Sequence, residues 1–205
     1  MSQPSAPIHL SGFPLSGHVH RVRLFMTLMG LPFEEEVIDV TKGAQRTPEF
    51  LRRNVFGQIP VIEDGANTIA DSNAILVYLA RTYDKTNRWL PDAPLAQAEV
   101  QRWLSAAAGA LNYGPANARV NVLFKRPEDP KCAETAARLF STMEKHLEGR
   151  TWLAADHATI ADLAMYTYTA HAPEGGVSLD PYPLVRAWLT RVEGLPKFVG
   201  MARAG

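Results

Sequence analysis

The apolar pattern of this chain changes character at Tyr83. Before that point strand-like and helix-like periods alternate; beyond Leu95 the pattern is helical and hardly any strand signal remains. "IHLSG" (8–12) reads as a short strand. Val19, Val22, Met26 and Met29 then follow at helical spacing, with Phe25 and Leu28 widening the stripe. Gly30 and Pro32 stop that helix, Gly30 as a left-handed terminator. "FEEEVIDV" (33–40) reads as a second strand, and "TPEFLRR" as a short helix capped by Thr47 with Pro48 in its first turn. "QIPVIED" and "NTIAD" flank the hairpin signal "DGAN", and "SNAILVYLARTY" (72–83) is an apolar helix headed by Ser72. The order is β-α-β-α-β-β-α. A polar, proline-bearing stretch (84–94) reads as a linker. Helical patterns then cover 95–124, 131–148, a segment from Thr159 and roughly 182–193, with Thr159 and Asp162 fitting a capping box. The expected organisation is therefore a small α/β domain over 1–83, a linker over 84–94 and an all-helical domain over 95–205.

Three short stretches carry candidate chemistry. In "PLSGHVHRVRLF" (14–25), Ser16 stands directly before a helix. A serine there caps the helix, and its hydroxyl, with the N–H groups of the first turn, also suits an anion. His18 and His20 are a poor metal pair, because helical residues two apart point about 200° from each other, and no cysteine or carboxylate joins them at ligand spacing. A serine hydrolase lacks its G-x-S-x-G elbow. In "FGQIP" (56–60), the proline precedes a strand and belongs at an edge or a strand start. In "ADSNAILVYLA", a helix N-terminus at Ser72 suits a carboxylate, and Asp71 beside it, read as a free carboxylate, suits an ammonium. Those are the two charges of an α-amino acid head. Together the three stretches describe a site for a small peptide.

The bulk numbers narrow the partners. The chain has 205 residues, with 21 Lys and Arg against 21 Asp and Glu. Balanced charge gives no general attraction to nucleic acid or to an anionic membrane surface. The start "MSQPSAP" reads as no signal peptide, and the longest apolar run, "AILVYLA", is too short to span a bilayer. The single cysteine, Cys132, excludes an internal disulfide framework and points to a reducing, cytoplasmic setting.

On these residues the sequence resembles the cytosolic glutathione S-transferase family, in its serine-type, bacterial form, over nearly the whole chain. The resemblance implies a thioredoxin-like N-terminal domain, an all-helical C-terminal domain carrying the electrophile site, and a homodimer. It implies glutathione as co-substrate, with no metal. "SGHVHRV" is similar to the motif in which the catalytic serine lies five residues before "RV", which is Ser16 counting back from Arg21. "GAQRTPEFLRRNVFGQIPVI" resembles the stretch in which Gln45 and Arg46 clamp the glycyl carboxylate. There Gln58 and Ile59 meet the peptide backbone and Pro60 is cis. "ADS" corresponds to the pair holding the γ-glutamyl group, Asp71 and Ser72. Val55 stands where the family most often has proline, and Asp71 is a methylene shorter than the commoner glutamate. "LSGH" lacks the serine-serine-cysteine run of the maleylacetoacetate isomerase members.

The implied chemistry is activation of the glutathione thiol as thiolate for attack on a hydrophobic electrophile. An alkyl thiol has a pKa near about 8.5, and lowering it by about two units takes roughly 2.7 kcal/mol. A hydrogen bond to the charged sulfur offers about 1.5–3 kcal/mol, and a helix N-terminus adds about 0.3–1. No general base is required. His18 is a candidate to support the anion at second hand. Phe13, Leu15, Tyr113, Arg119, Tyr166 and His171 are candidates for the electrophile site. The alternatives are a non-catalytic carrier protein on the same fold, or a glutathione-dependent peroxidase or isomerase.

Overall fold

The computed structural model of the chain describes residues 3–203. It divides into two compact units: residues up to Leu90 together with Pro196–Ala202, and Pro91–Leu195.

The first unit is built on a four-stranded sheet of order β2-β1-β3-β4, from β1 (Ile8–Gly12), β2 (Phe33–Val37), β3 (Val61–Asp64) and β4 (Asn67–Ala70). β1 runs parallel to β2 and antiparallel to β3; β3 and β4 form the antiparallel hairpin. Helix α1 (Gly17–Met29) makes the crossover between the parallel pair, α2 (Pro48–Arg53) precedes the hairpin, and α3 (Ser72–Tyr83) follows it. Val19, Val22, Phe25 and Met26 are buried with Ile8, Leu10 and Ile62 of the sheet and with Ile75, Leu76 and Leu79 of α3. β1 and α1 approach closely at Gly12, where an added Cβ would fall 2.4 Å from Val19 Cγ2. The turn carrying Ser16 is thereby held tight against the end of β1.

The local signals explain most boundaries. Gly30 ends α1 with φ 65°, its N–H reaching back to Met26 and Thr27 carbonyls. Thr47 caps α2 by accepting from Phe50 N, with Pro48 in the first turn. The second strand is shorter than the sequence suggests, because Asp39 accepts from Thr41 N at 3.0 Å and starts a tight 3₁₀ turn over Val40–Lys42. The third strand begins only after Pro60, which cannot donate to a ladder.

The second unit is helical: α4 (Pro94–Ala106), a π-type continuation (Ala107–Ala116), α5 (Asn117–Leu123), α6 (Pro130–His146), α7 (Ile160–Ala170) and α8 (Pro183–Glu193). Helix α7 is buried from Ile160 to Thr169, packed against α4, the π-type segment and α8. Its head is the expected capping box. Asp162 Oδ2 accepts from Thr159 N at 2.9 Å, and Thr159 Oγ1 accepts from Ala161 N at 3.3 Å. Asp162 Oδ1 also accepts from Leu153 N at 3.1 Å and from Trp188 Nε1 on α8 at 2.9 Å. Among the described residues no helix is long and apolar enough to cross a membrane.

Candidate active site

Ser16 is the N-cap of α1, with extended backbone (φ −82°, ψ 120°) and a half-buried side chain. Its N–H donates to Phe13 O at 3.0 Å, and its hydroxyl oxygen accepts from Val19 N at 3.4 Å. That second bond is long, so the cap is a weak one. It engages only a lone pair and leaves the O–H proton able to donate to an anion at the helix head. Cap and anion partner are therefore compatible roles for one hydroxyl. Phe13 and Leu15, both half-buried, flank it.

The stretch from Gln45 to Pro60 is folded back on itself. Gln45 and Arg46 lie in a 3₁₀ turn directly before α2, Gln45 half-buried and Arg46 exposed. Gly57, at φ 60°, passes so close that a Cβ there would lie 3.0 Å from Gln45 O. That contact brings the loop of Gln58 and Ile59 beside the turn of Gln45 and Arg46. The brace of this loop is Asn54, which the sequence reading missed. Its Nδ2 donates to Gln58 O at 2.7 Å and its Oδ1 accepts from Phe56 N at 3.1 Å. The Ile59–Pro60 bond is cis. Gln58 and Asp71 line one cavity of about 480 Å³, with Arg53, Phe56 and Ala70 among its walls.

Helix α3 begins at Ser72, as the sequence suggests, and its cap lies one residue earlier. Asp71 is the N-cap: its Oδ1 accepts from Asn73 N and Ala74 N, both at 2.9 Å. Its carboxylate is thus not free as expected, since Oδ1 serves the helix. Asp71 adopts φ 72°, a region that costs energy for a residue other than glycine. Ser72 is the first helical residue, and its backbone N–H has no partner within the helix. Its hydroxyl is nearly buried, accepts from Arg21 Nη1 at 3.3 Å and lies 3.4 Å from His18 Nδ1. Arg21 Nη1 also donates to Asn73 Oδ1 at 2.9 Å. The arginine of "RV" is therefore a buried link from α1 to α3.

The candidates on the helical unit fare differently. Tyr113 is 64% exposed. Arg119 and His171 are buried on opposite sides of one carboxylate: Arg119 Nε donates to Glu174 Oε2 at 2.7 Å, and His171 Nδ1 lies 2.5 Å from Glu174 Oε1. Tyr166 donates to Glu193 Oε1 at 2.9 Å, and burial, helped by the Glu193 charge, pushes its pKa up. These three have structural partners within their own unit. His20 is likewise occupied, its Nε2 lying 2.9 Å from Val199 O. Among the described residues no group of three or more His, Cys, Asp or Glu side chains is placed to hold a metal ion.

Burial acts to raise the pKa of Glu174, but hydrogen bonds from His171 and Arg119 outweigh it and hold the carboxyl below its usual 4.5. On acidification the unfolded chain takes up this proton first, so the stability it contributes is present above about pH 4.5 and lost below. Urea denaturation of wild type and Glu174→Gln should show a stability gap at neutral pH that narrows as pH falls below that value.

Comparison with known proteins bears on what this arrangement does. Residues 15–82 match the family profile of the glutathione S-transferase N-terminal domain, and residues 97–196 that of its C-terminal domain. Glutathione S-transferase 3 of Zea mays is 33% identical, over 94% of this chain and 92% of its own. The chain belongs to the glutathione S-transferase family. A theta-3 member from Mus musculus is 30% identical over 84% of this chain and 76% of its own. Among solved structures, a glutathione S-transferase from Pseudomonas fluorescens superposes with TM-score 0.90 at 32% identity, covering 97% of this chain and all of the other. A glutathione transferase homolog from Drosophila mojavensis, solved with bound glutathione, superposes with TM-score 0.82 at 25% identity, over 93% of this chain and 89% of its own. Both halves of the family are thus present in this chain.

Proposed function

We propose that this glutathione S-transferase binds glutathione on its first unit and presents the sulfur to Ser16, whose hydroxyl steadies the thiolate for attack on a hydrophobic electrophile. The observation that carries this reading is the Ser16 hydroxyl at the head of α1, held by a long cap bond and with its proton able to donate. Arg46, exposed on its turn, grips the glycyl carboxylate with Gln45, and Gln58 and Ile59 receive the peptide backbone. The Ser72 N–H and the second carboxylate oxygen of Asp71 take the γ-glutamyl head. Phe13 and Leu15 are the candidates nearest the sulfur for contact with the electrophile. Transfer is favoured over a carrier role by relatives that are named transferases, and over peroxidase or isomerase activity by the same names.

Arg46 acts on a charge far from the sulfur, so Arg46→Ala should raise KM for glutathione about tenfold or more and leave kcat nearly unchanged. Retention on immobilised glutathione with turnover of an aryl halide tests the function as a whole. Retention without turnover across several electrophiles would make the protein a carrier.

The proposal extends to a homodimer in a cytoplasmic setting. The dimer is supported by the exposed pair Val55 and Phe56, 76% and 80% accessible, on the loop that Asn54 braces. Light scattering at micromolar concentration should give about twice the chain mass of 22.6 kDa, and Phe56→Ser should move it toward the monomer.

A further inference from the structure

We propose that His18 is a positioning residue whose imidazole sets which way the Ser72 hydroxyl donates, and so how tightly the γ-glutamyl carboxylate is held. The inference rests on the glutathione reading above. His18 and Arg21, three apart on α1, share one face, and both reach the Ser72 hydroxyl. Arg21 Nη1 donates to Ser72 Oγ at 3.3 Å, and His18 Nδ1 lies 3.4 Å from the same oxygen. One serine hydroxyl at the head of α3 is thus bracketed by a permanent donor and by a group that can be either donor or acceptor.

A hydroxyl has one proton and two lone pairs. Arg21 donates in every state and occupies one lone pair. His18 decides the rest. With Nδ1 bare, the imidazole takes the Ser72 proton, and the hydroxyl turns only a lone pair toward the ligand, where it opposes a carboxylate. With Nδ1 protonated, the imidazole donates into the second lone pair, and the Ser72 O–H proton is turned outward to the carboxylate. The Ser72 backbone N–H contributes in both states, so His18 adjusts the grip rather than creating it. An imidazole changes charge within the range of about pH 5–8; the cation carries a proton on Nδ1 and the neutral tautomer protonated on Nε2 leaves Nδ1 bare, which makes the adjustment pH-dependent. Among the charged groups beside the pair are Arg21 on α1 and Asp71 at the head of α3, with Asn73 a neutral polar neighbour.

The test is calorimetric titration with S-methylglutathione, whose blocked thiol removes any contribution from Ser16, at about pH 5.5 and about pH 8. Wild type, His18→Asn, Ser72→Ala and the double variant all keep Arg21 and Asp71, so the effects of those groups and of the ligand's own ionisation are common to all four. Wild type should bind about tenfold more weakly at the higher pH than at the lower. His18→Asn should lose that ratio, and in the Ser72→Ala background the same change should have no further effect. His18→Gln serves if the Asn variant does not fold. An unaltered ratio in the His18 variant, or an undiminished His18 effect without Ser72, would overturn the proposal while leaving the glutathione reading in place. Failure of wild type to bind S-methylglutathione at either pH would overturn both.

Discussion

Asp162→Ala should destabilise the helical unit by about 3–5 kcal/mol, a large part of the stability of an ordinary domain. The carboxylate is fully buried and accepts from Thr159 N, Leu153 N and Trp188 Nε1 at 2.9–3.1 Å. It therefore fixes three elements at once: the head of α7, the loop before it and the facing side of α8. Alanine leaves those N–H groups buried without their acceptor, each at a cost of about 1–3 kcal/mol. Relief of a desolvated charge offsets part of this, since burial pushes the Asp162 pKa up despite its donors. Asp162→Asn keeps an oxygen for Leu153 and Trp188 and turns an amide toward Thr159 N, so it should cost less than alanine. Urea midpoints order the three proteins. An alanine variant within about 1 kcal/mol of wild type would mean that water reaches the abandoned donors.

Ser16→Ala should lower kcat/KM at neutral pH by about 10–100-fold, the loss of a hydrogen bond to an ionised sulfur. Binding of an S-alkylated glutathione should survive nearly intact, because that ligand presents no thiolate. The lost cap should cost at most about 1 kcal/mol, near the low end given the 3.4 Å bond to Val19 N. A variant with a lowered melting temperature and unaltered kinetics would leave Ser16 as a cap alone.

These two residues were legible in the sequence because capping is local. A side chain and the N–H groups it serves lie within four positions, so Thr47, Thr159 with Asp162, and the Gly30 stop were equally readable. The change of period at Tyr83 likewise exposed the α/β and all-helical parts. The start of α3 at Ser72 was legible in the same way, but the engagement of the Asp71 carboxylate was not, because it depends on a backbone angle of φ 72° that composition does not encode. Tertiary pairing was also invisible. Arg119 meets Glu174 across 55 residues, and Tyr166 meets Glu193 across 27. In the sequence each is simply a polar residue on a helical pattern. Asn54 was missed because its partners, Gln58 O and Phe56 N, belong to a loop whose path depends on Gly57. The return of Pro196–Ala202 to the first unit has the same character, since Val199 O meets buried His20 across 179 residues.

The central claim is that the head of α1 holds a thiolate through Ser16, and the most direct measurement is the ionisation of glutathione while it is bound. The thiolate absorbs in the ultraviolet where the thiol does not, so a pH titration of the saturated complex reads its pKa without any electrophile. In wild type the midpoint should lie about two units below the free value near 8.5, and in Ser16→Ala it should return most of the way to that value. Equal midpoints in the two proteins, both saturated with glutathione, would contradict the account.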